Sequence, residues 1–236
     1  MAISLEGKSA IVAGASSGMG RAIALALAGE GMWVMAAARR TERLAELQAL
    51  GIETCGADLT DRTQAEGLIA EAAARFGGID LLVYAAGDNI PARAMKVLTP
   101  ETWDHMIAVN LTGAFHCTRA VLPVMRAAGG GLIIYISSGS AHQADLSGAS
   151  YQAAKRGLAG LAHATRLEEK DNGIRTSVIL PGLCRTELVM KRPVPPTAEV
   201  LAEALLPEDV AEAVVAVARL HPRAVVPEME LLPSRL

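Results

Sequence analysis

The stretch "YQAAK", residues 151 to 155, places a phenol and an ammonium four positions apart. Alanine-rich spacing favours a helix, and residues i and i+4 of a helix share a face. Tyr151 and Lys155 therefore point the same way. As a pair they have two readings. They are an ordinary exposed helix face, or a proton donor with a cation beside it to draw its pKa down from the usual value of about 10. A second stretch, "GASSGMG" from Gly14 to Gly20, spaces its glycines as G-x-x-x-G-x-G. Glycines let a backbone turn tightly and come close to a pyrophosphate, and a helix N-terminus behind them offers free N–H groups. A third, "AAARRTER", bears on the choice of dinucleotide. An acidic residue roughly 20 positions past the glycines would grip the adenosine ribose hydroxyls and select NAD. Ala38 offers no carboxylate there, whereas Arg39 and Arg40 suit a 2′-phosphate. The charges predict NADP(H) over NAD(H), the plainer alternative being an arginine that merely covers a strand end. Asp58, in "GADLT", is expected to face the adenine rather than the ribose.

These residues need elements to position them. "SAIVAG" (Ser9 to Gly14) is a short apolar, β-prone run, and "RAIALALAGEG" (Arg21 to Gly31) has apolar residues at helical spacing with a glycine stop. The alternation continues through strands at Met32 to Ala38, Gly51 to Leu59, Ile79 to Gly87, Gly129 to Ser138, Gly173 to Gly182 and Ala224 to Leu232. Between them come helices at residues 41–50 and 63–77, a long one from Thr99, Pro100 and Glu101 to about Ala128, one from Tyr151 to about Asp171, and one at 207–220. Strand–helix alternation from end to end predicts βαβ crossovers, a parallel sheet of about seven strands and helices on both faces. No repeat or composition shift marks a boundary, so residues 1–236 read as one domain. The irregular stretch "LCRTELVMKRPVPPT" (Leu183 to Thr197) follows a strand end, where such folds bind ligands, and residues 183–205 read as a substrate loop or as passive surface.

Composition agrees. Hydrophobic residues make up 51% and aromatics 3%, a mix suited to parallel strands under helices. The net charge is −3 and the basic pairs are Arg39-Arg40 and Lys191-Arg192, which argues against nucleic acid as a partner. Cys55, Cys117 and Cys184 have neither disulfide nor zinc spacing, and His105, His116 and His142 fit no metal pattern, so no metal is expected. The start, "MAISLEGKSAIVAG", carries Glu6 and Lys8 where a signal peptide needs an apolar run, and the apolar stretch from Gly131 to Ala144 is broken by serine and glycine. A cytoplasmic chain with no membrane association is expected.

"GASSGMG", "VNLTGAF", "IYISSGSA", "YQAAK" and Pro181-Gly182, in that order, resemble the short-chain dehydrogenase/reductase family in its compact single-domain form. The resemblance runs from Leu5 to about Leu232. It implies a Rossmann-like, doubly wound α/β fold and a dehydrogenase or carbonyl reductase. It also implies a cofactor site at Gly14, Ser16, Ser17, Gly18, Met19, Gly20, Arg39, Arg40, Asp58, Leu59, Ala86, Gly87, Pro181, Gly182 and Thr186, shared with Tyr151 and Lys155. By the same resemblance the catalytic group is Ser138, thirteen residues before the tyrosine, with Tyr151, Lys155 and Asn110. Tyr151 would exchange the proton, Lys155 would favour phenolate and bind the nicotinamide ribose, and Ser138 would hold the substrate oxygen. Asn110 would bend its helix and hold a water. The strand-four motif departs from the family's Asn-Asn-Ala-Gly. Here it reads Tyr84, Ala85, Ala86, Gly87, so the side-chain bracing of the central sheet must be lost or replaced.

The resemblance implies a small carbonyl or alcohol as substrate. Its pocket is expected among Ser140 to His142, Asp88 to Arg93 and the loop from Leu183. Arg93, Lys191 and Arg192 would meet an acidic substrate, or be solvated as charged residues usually are. Apolar residues on more than one face of the two central helices (Ile107, Val109, Phe115, Val121, Leu158, Leu161) imply a homo-oligomer, a dimer or tetramer. The alternatives are a silent dinucleotide-binding sensor, which would be expected to lose Tyr151 or Lys155, and a sugar-nucleotide enzyme, for which the chain leaves little room.

Overall fold

The computed structural model describes residues 2–236. Seven strands form one parallel sheet: β1 (Ser9–Ala13), β2 (Trp33–Ala38), β3 (Glu53–Gly56), β4 (Leu81–Tyr84), β5 (Gly131–Ile136), β6 (Ile174–Pro181) and β7 (Glu228–Leu231). Their order is β3-β2-β1-β4-β5-β6-β7. The order reverses between β1 and β4, and ligands bind outside the carboxyl ends of the strands at such a reversal. The loop after β1 carries "GASSGMG" and the loop after β4 carries Gly87, so both open onto this point.

The described residues form eight α-helices: α1 (Gly18–Gly29), α2 (Thr41–Ala49), α3 (Arg62–Phe76), α4 (Pro100–Ile107), α5 (Gly113–Ala127), α6 (Ala149–Glu169), α7 (Ala198–Glu203) and α8 (Pro207–Ala218). β1 shows why the strands read as continuous apolar runs. Ala10 and Val12 pack in the layer containing Ile23, Leu27, Val210 and Val214, while Ile11 and Ala13 pack in the layer containing Leu68, Val121 and Leu158. Both faces are buried, which is why the strand reads as a continuous apolar run rather than an alternating one. The buried positions of α6 from Tyr151 onward fall on one helical stripe: Tyr151, Ala154, Lys155, Leu158, Ala162, Thr165 and Glu169. Tyr151 and Lys155 thus belong to the face that covers the sheet.

Two elements differ from the sequence reading. The long helix from Pro100 is broken by a π-helical turn at Ala108–Thr112, which contains Asn110. Such turns insert one extra residue per turn and are frequent at functional sites. The irregular stretch after β6 is also more ordered than its prolines suggest. It holds a 3-10 turn at Glu187–Lys191 and the short α7, whose N-cap is Thr197.

Candidate active site

The carboxyl ends of β1, β2 and β4 frame a cleft of about 340 Å³. Gly14 has φ +93°, and a Cβ on it would lie 2.5 Å from the Ala86 backbone. A Cβ on Gly20 would lie 2.2 Å from the Gly14 carbonyl oxygen. Only glycine permits this closure of the loop on itself. Ser17, the N-cap of α1, makes no side-chain cap bond; its hydroxyl accepts from Arg40 Nη2 at 2.7 Å. The first turn of α1 is left with donors that a side chain does not satisfy, the usual setting for a phosphate. Arg40 also donates to Ser16 Oγ at 2.9 Å and to Glu187 at 3.3 Å. Arg39 is exposed, with Asp58 3.9 Å away. Thr186 leans over the loop, its Cγ2 3.2 Å from where a Gly18 Cβ would be.

The far end of the cleft is walled by α6. Tyr151 and Lys155 both line it and both are buried, at 9% and 4% exposure. The lysine Nζ stands 5.7 Å from the tyrosine ring centre and donates to the Ile136 carbonyl at 3.0 Å. Burial without a carboxylate partner brings its pKa down to about 8. Burial likewise pushes the Tyr151 phenol up, and Asp145 adds to this; the Ser138 hydroxyl, Arg192 and Arg93 oppose it. Desolvation of both groups outweighs their proximity, and the phenol stays protonated at neutral pH. Ser138 is held by Ser140, whose hydroxyl donates to Ser138 Oγ at 2.9 Å. Ser137 donates to the Lys155 carbonyl at 2.8 Å and pins α6 to the end of β5.

Asn110 is fully buried in the π turn. Its Nδ2 donates to Met106 O at 2.9 Å and to Asp88 O at 3.0 Å, and its Oδ1 accepts from Asp88 N at 3.1 Å. It ties the α4–α5 bend to the segment after β4. A Cβ on Gly87 would stand 3.1 Å from Asn110 Oδ1 and 3.3 Å from Lys155 Nζ, so both groups face that glycine. The missing asparagines of the strand-four motif are replaced. The buried Tyr84 hydroxyl donates to Val109 O, inside the π turn, at 2.7 Å. A Cβ on Gly113 would sit 2.4 Å from that hydroxyl, so Gly113 makes room for it.

Of the residues expected to bind cofactor, Gly14, Ser16, Ser17, Gly18, Met19, Arg39, Arg40, Asp58, Leu59, Ala86, Gly87 and Thr186 line the cleft with Tyr151 and Lys155. Gly20, Pro181 and Gly182 do not. Gly20 packs behind the loop, and Gly182 donates to Leu231 O at 2.8 Å beside β7. Asn110 and Ser138 flank the cleft without lining it. Asp58 accepts from the Thr60 hydroxyl at 2.8 Å. His105 lies 3.4 Å from Asp88, His116 3.2 Å from Leu59 O and His142 2.8 Å from Glu228. The three cations expected near the substrate have different fates. Lys191 is paired with Asp88 at 2.5 Å and Arg192 is exposed. Arg93 is 7% exposed, which corrects the expectation of solvation. Sequence reasoning missed the contacts that Tyr84, Ser137, Asp88 and Glu187 make, because their partners are 18 to 147 residues distant.

A parallel sheet with a phosphate-type glycine loop at its topological switch, facing a buried tyrosine and lysine one helical turn apart, defines a dinucleotide-binding dehydrogenase class. The chain belongs to the short chain dehydrogenase family, whose model matches residues 8–195. It is 38% identical over 194 residues to a D-beta-hydroxybutyrate dehydrogenase of Cupriavidus necator, covering 80% of this chain and 75% of that one. It is 36% identical over 220 residues to a cis-4-hydroxycyclohexanecarboxylate dehydrogenase of Sinomonas cyclohexanicum, covering 87% and 86%. Among solved structures, a closed form of serine dehydrogenase complexed with NADP+ superposes with a TM-score of 0.87 at 31% identity, covering 94% of each chain.

Proposed function

We propose that the chain interconverts a carbonyl and an alcohol with NADP(H), Tyr151 moving the proton. The observation that carries this is the placement of a buried phenol and a buried ammonium at one end of a cleft whose other end is a glycine loop and an arginine. The bound nicotinamide cofactor supplies or accepts the hydride. In reduction Tyr151, kept protonated by burial, donates to the carbonyl oxygen; in oxidation it takes the proton back. Ser138, fixed by Ser140, holds that oxygen in place. Lys155, with its pKa near 8, binds the ribose side of the cofactor and stabilises the phenolate once the proton has left. Asn110 keeps the segment after β4 and the Lys155 ammonium in register.

The NADP preference rests on Arg40 and Arg43. Both hold the Glu187 carboxylate, at 3.3 and 2.5 Å, so the spot expected for a 2′-phosphate already accepts an anion. Residues 183–205 act as the substrate lid. Glu187 and Lys191 fasten it to opposite sides of the cleft, through the arginines and through Asp88. The relatives named above act on 3-hydroxybutyrate, a hydroxycyclohexanecarboxylate and serine, so hydroxy acids and their keto acids are the first substrates to try. Exposed Phe115 on α5 and Leu167 on α6 support a homo-oligomer built on these helices, which light scattering would show as a dimer or tetramer. The activity is tested by following NADPH and NADH absorbance with a panel of ketones, aldehydes and keto acids. Turnover with NADPH well above NADH supports the reading; tight cofactor binding with no turnover of any class refutes it.

A further inference from the structure

Arg93 lies in the segment between β4 and α4. Its side chain is more than nine-tenths buried, and its Nε has no hydrogen-bond partner. A charged group removed from water normally keeps a partner, because leaving it alone costs more than exposing it. Among the described residues no carboxylate pairs with it. The stem of the side chain is fixed. A Cβ on Gly148 would stand 2.8 Å from Arg93 Cβ and 2.9 Å from its carbonyl oxygen. Gly148, at φ +99°, is the N-cap of α6, three residues before Tyr151. Asn89 Nδ2 donates to Ser147 O at 3.0 Å and ties the two segments together. Arg93 is therefore clamped against the entry to the tyrosine helix.

The charges that face it come from three segments. Arg192, on the loop after β6, repels it; Asp145, before α6, attracts it, and Tyr151 would do so only once ionised. Burial and Arg192 together lower its pKa. Asp145 is turned elsewhere, its Oδ1 accepting from Ser147 N at 2.8 Å. Lys191 is committed to Asp88. Both guanidiniums act on the phenol, and among the described residues neither forms an ion pair with a carboxylate. We infer that Arg93, joined by Arg192 from the lid, binds a carboxylate of the substrate, which is a hydroxy or keto acid with its reacting oxygen at Tyr151. An arginine fork binds a carboxylate through two parallel hydrogen bonds, which would orient the acid as well as attract it.

This assignment rests on the oxidoreductase reading above, and the test separates the two. Turnover of 3-hydroxybutyrate and of its methyl ester is compared in the wild type, Arg93→Met and Arg93→Lys. The wild type should prefer the acid, and Arg93→Met should lower the acid-to-ester ratio of kcat/KM by about 10- to 100-fold, the worth of a hydrogen bond to a charged group. Arg93→Lys should restore part of that ratio. A merely structural arginine would depress both substrates and leave the ratio alone, which would overturn the assignment. If neither substrate turns over, the wider substrate panel judges the oxidoreductase reading and binding decides the arginine's role. Calorimetry of butyrate and butyramide with the chain–NADP complex should then show butyrate alone binding, and losing affinity in Arg93→Met. Equal affinity for the two, or equal binding by both proteins, overturns the assignment.

Discussion

Glu187 should compete with the cofactor. Its carboxylate sits 3.3 Å from Arg40 Nη1 and 2.5 Å from Arg43 Nη1, with all three side chains 40–59% exposed. Arg43, and Arg40 after it, hold the carboxyl below the usual glutamate range, so it is ionised at neutral pH. Exposed pairs of this kind contribute about 0.2–1 kcal/mol each. A 2′-phosphate that takes over Arg40 must first displace a group held by about 0.5–2 kcal/mol, and must then tolerate its negative charge nearby. Glu187→Gln removes both penalties. NADP+ should bind about 3- to 10-fold more tightly, since 1.4 kcal/mol is about tenfold, while NAD+ changes less than about twofold. The gain should shrink with added salt, because these charges are screened. Fluorescence titration of the two dinucleotides at low and high ionic strength measures it. Weaker NADP+ binding, or an equal shift for both dinucleotides, would show that Glu187 supports the cofactor rather than competing with it.

Three further outcomes follow from buried groups. Tyr84→Phe deletes the bond to Val109 O and leaves a buried acceptor, at a cost of about 1–3 kcal/mol. Thermal denaturation should show a midpoint lower by about 3 to 10 °C, and an unchanged midpoint would remove Tyr84 as the substitute brace. Lys155→Met should abolish turnover yet raise the midpoint of the cofactor-free chain at pH 7, because the buried ammonium is destabilising there. Its folded pKa is about 8 against about 10.4 unfolded. Between those values the unfolded chain binds more protons, the wild type gains stability as pH rises, and the gap between the two proteins should close. Glu169→Gln should flatten the acid limb of the stability curve. Arg126 holds the buried Glu169 carboxyl below its ordinary range, so its stabilisation is complete above the unfolded value of about 4.3 and fades as pH falls through the lower folded value. An acid limb identical to wild type would contradict this.

Much of the frame was legible because it depends on local pattern. β1 is apolar from Ala10 to Ala13, α6 repeats its buried residues every three or four, and the Thr99-Pro100-Glu101 start of α4 forms the expected cap, with Thr99 accepting from Thr102 N. The π turn was not legible. Asn110 marks it, but an extra residue in a helix is fixed by what the side chain reaches, here the backbone of Asp88. Residue types also identified the tyrosine and lysine but not their burial. Spacing places Lys155 beside Tyr151; it does not show that both are dry, and burial decides their pKa directions. Arg93 was misjudged for a related reason. Charged residues are exposed on average, and the close approach of Gly148 to Arg93 is a tertiary contact that residue type does not show.

The central claim is that Tyr151 carries the proton, and the Tyr151→Phe variant tests it most directly. Burial raises the phenol's pKa, and Ser138 and the cleft's cations only partly offset this; an acid so placed contributes about 10²- to 10⁴-fold. NADPH oxidation with the best keto acid, measured at saturating cofactor, should fall by at least about 10²-fold in the variant, with NADPH affinity within about threefold of wild type. A variant that binds NADPH normally and keeps a rate near wild type would contradict the account.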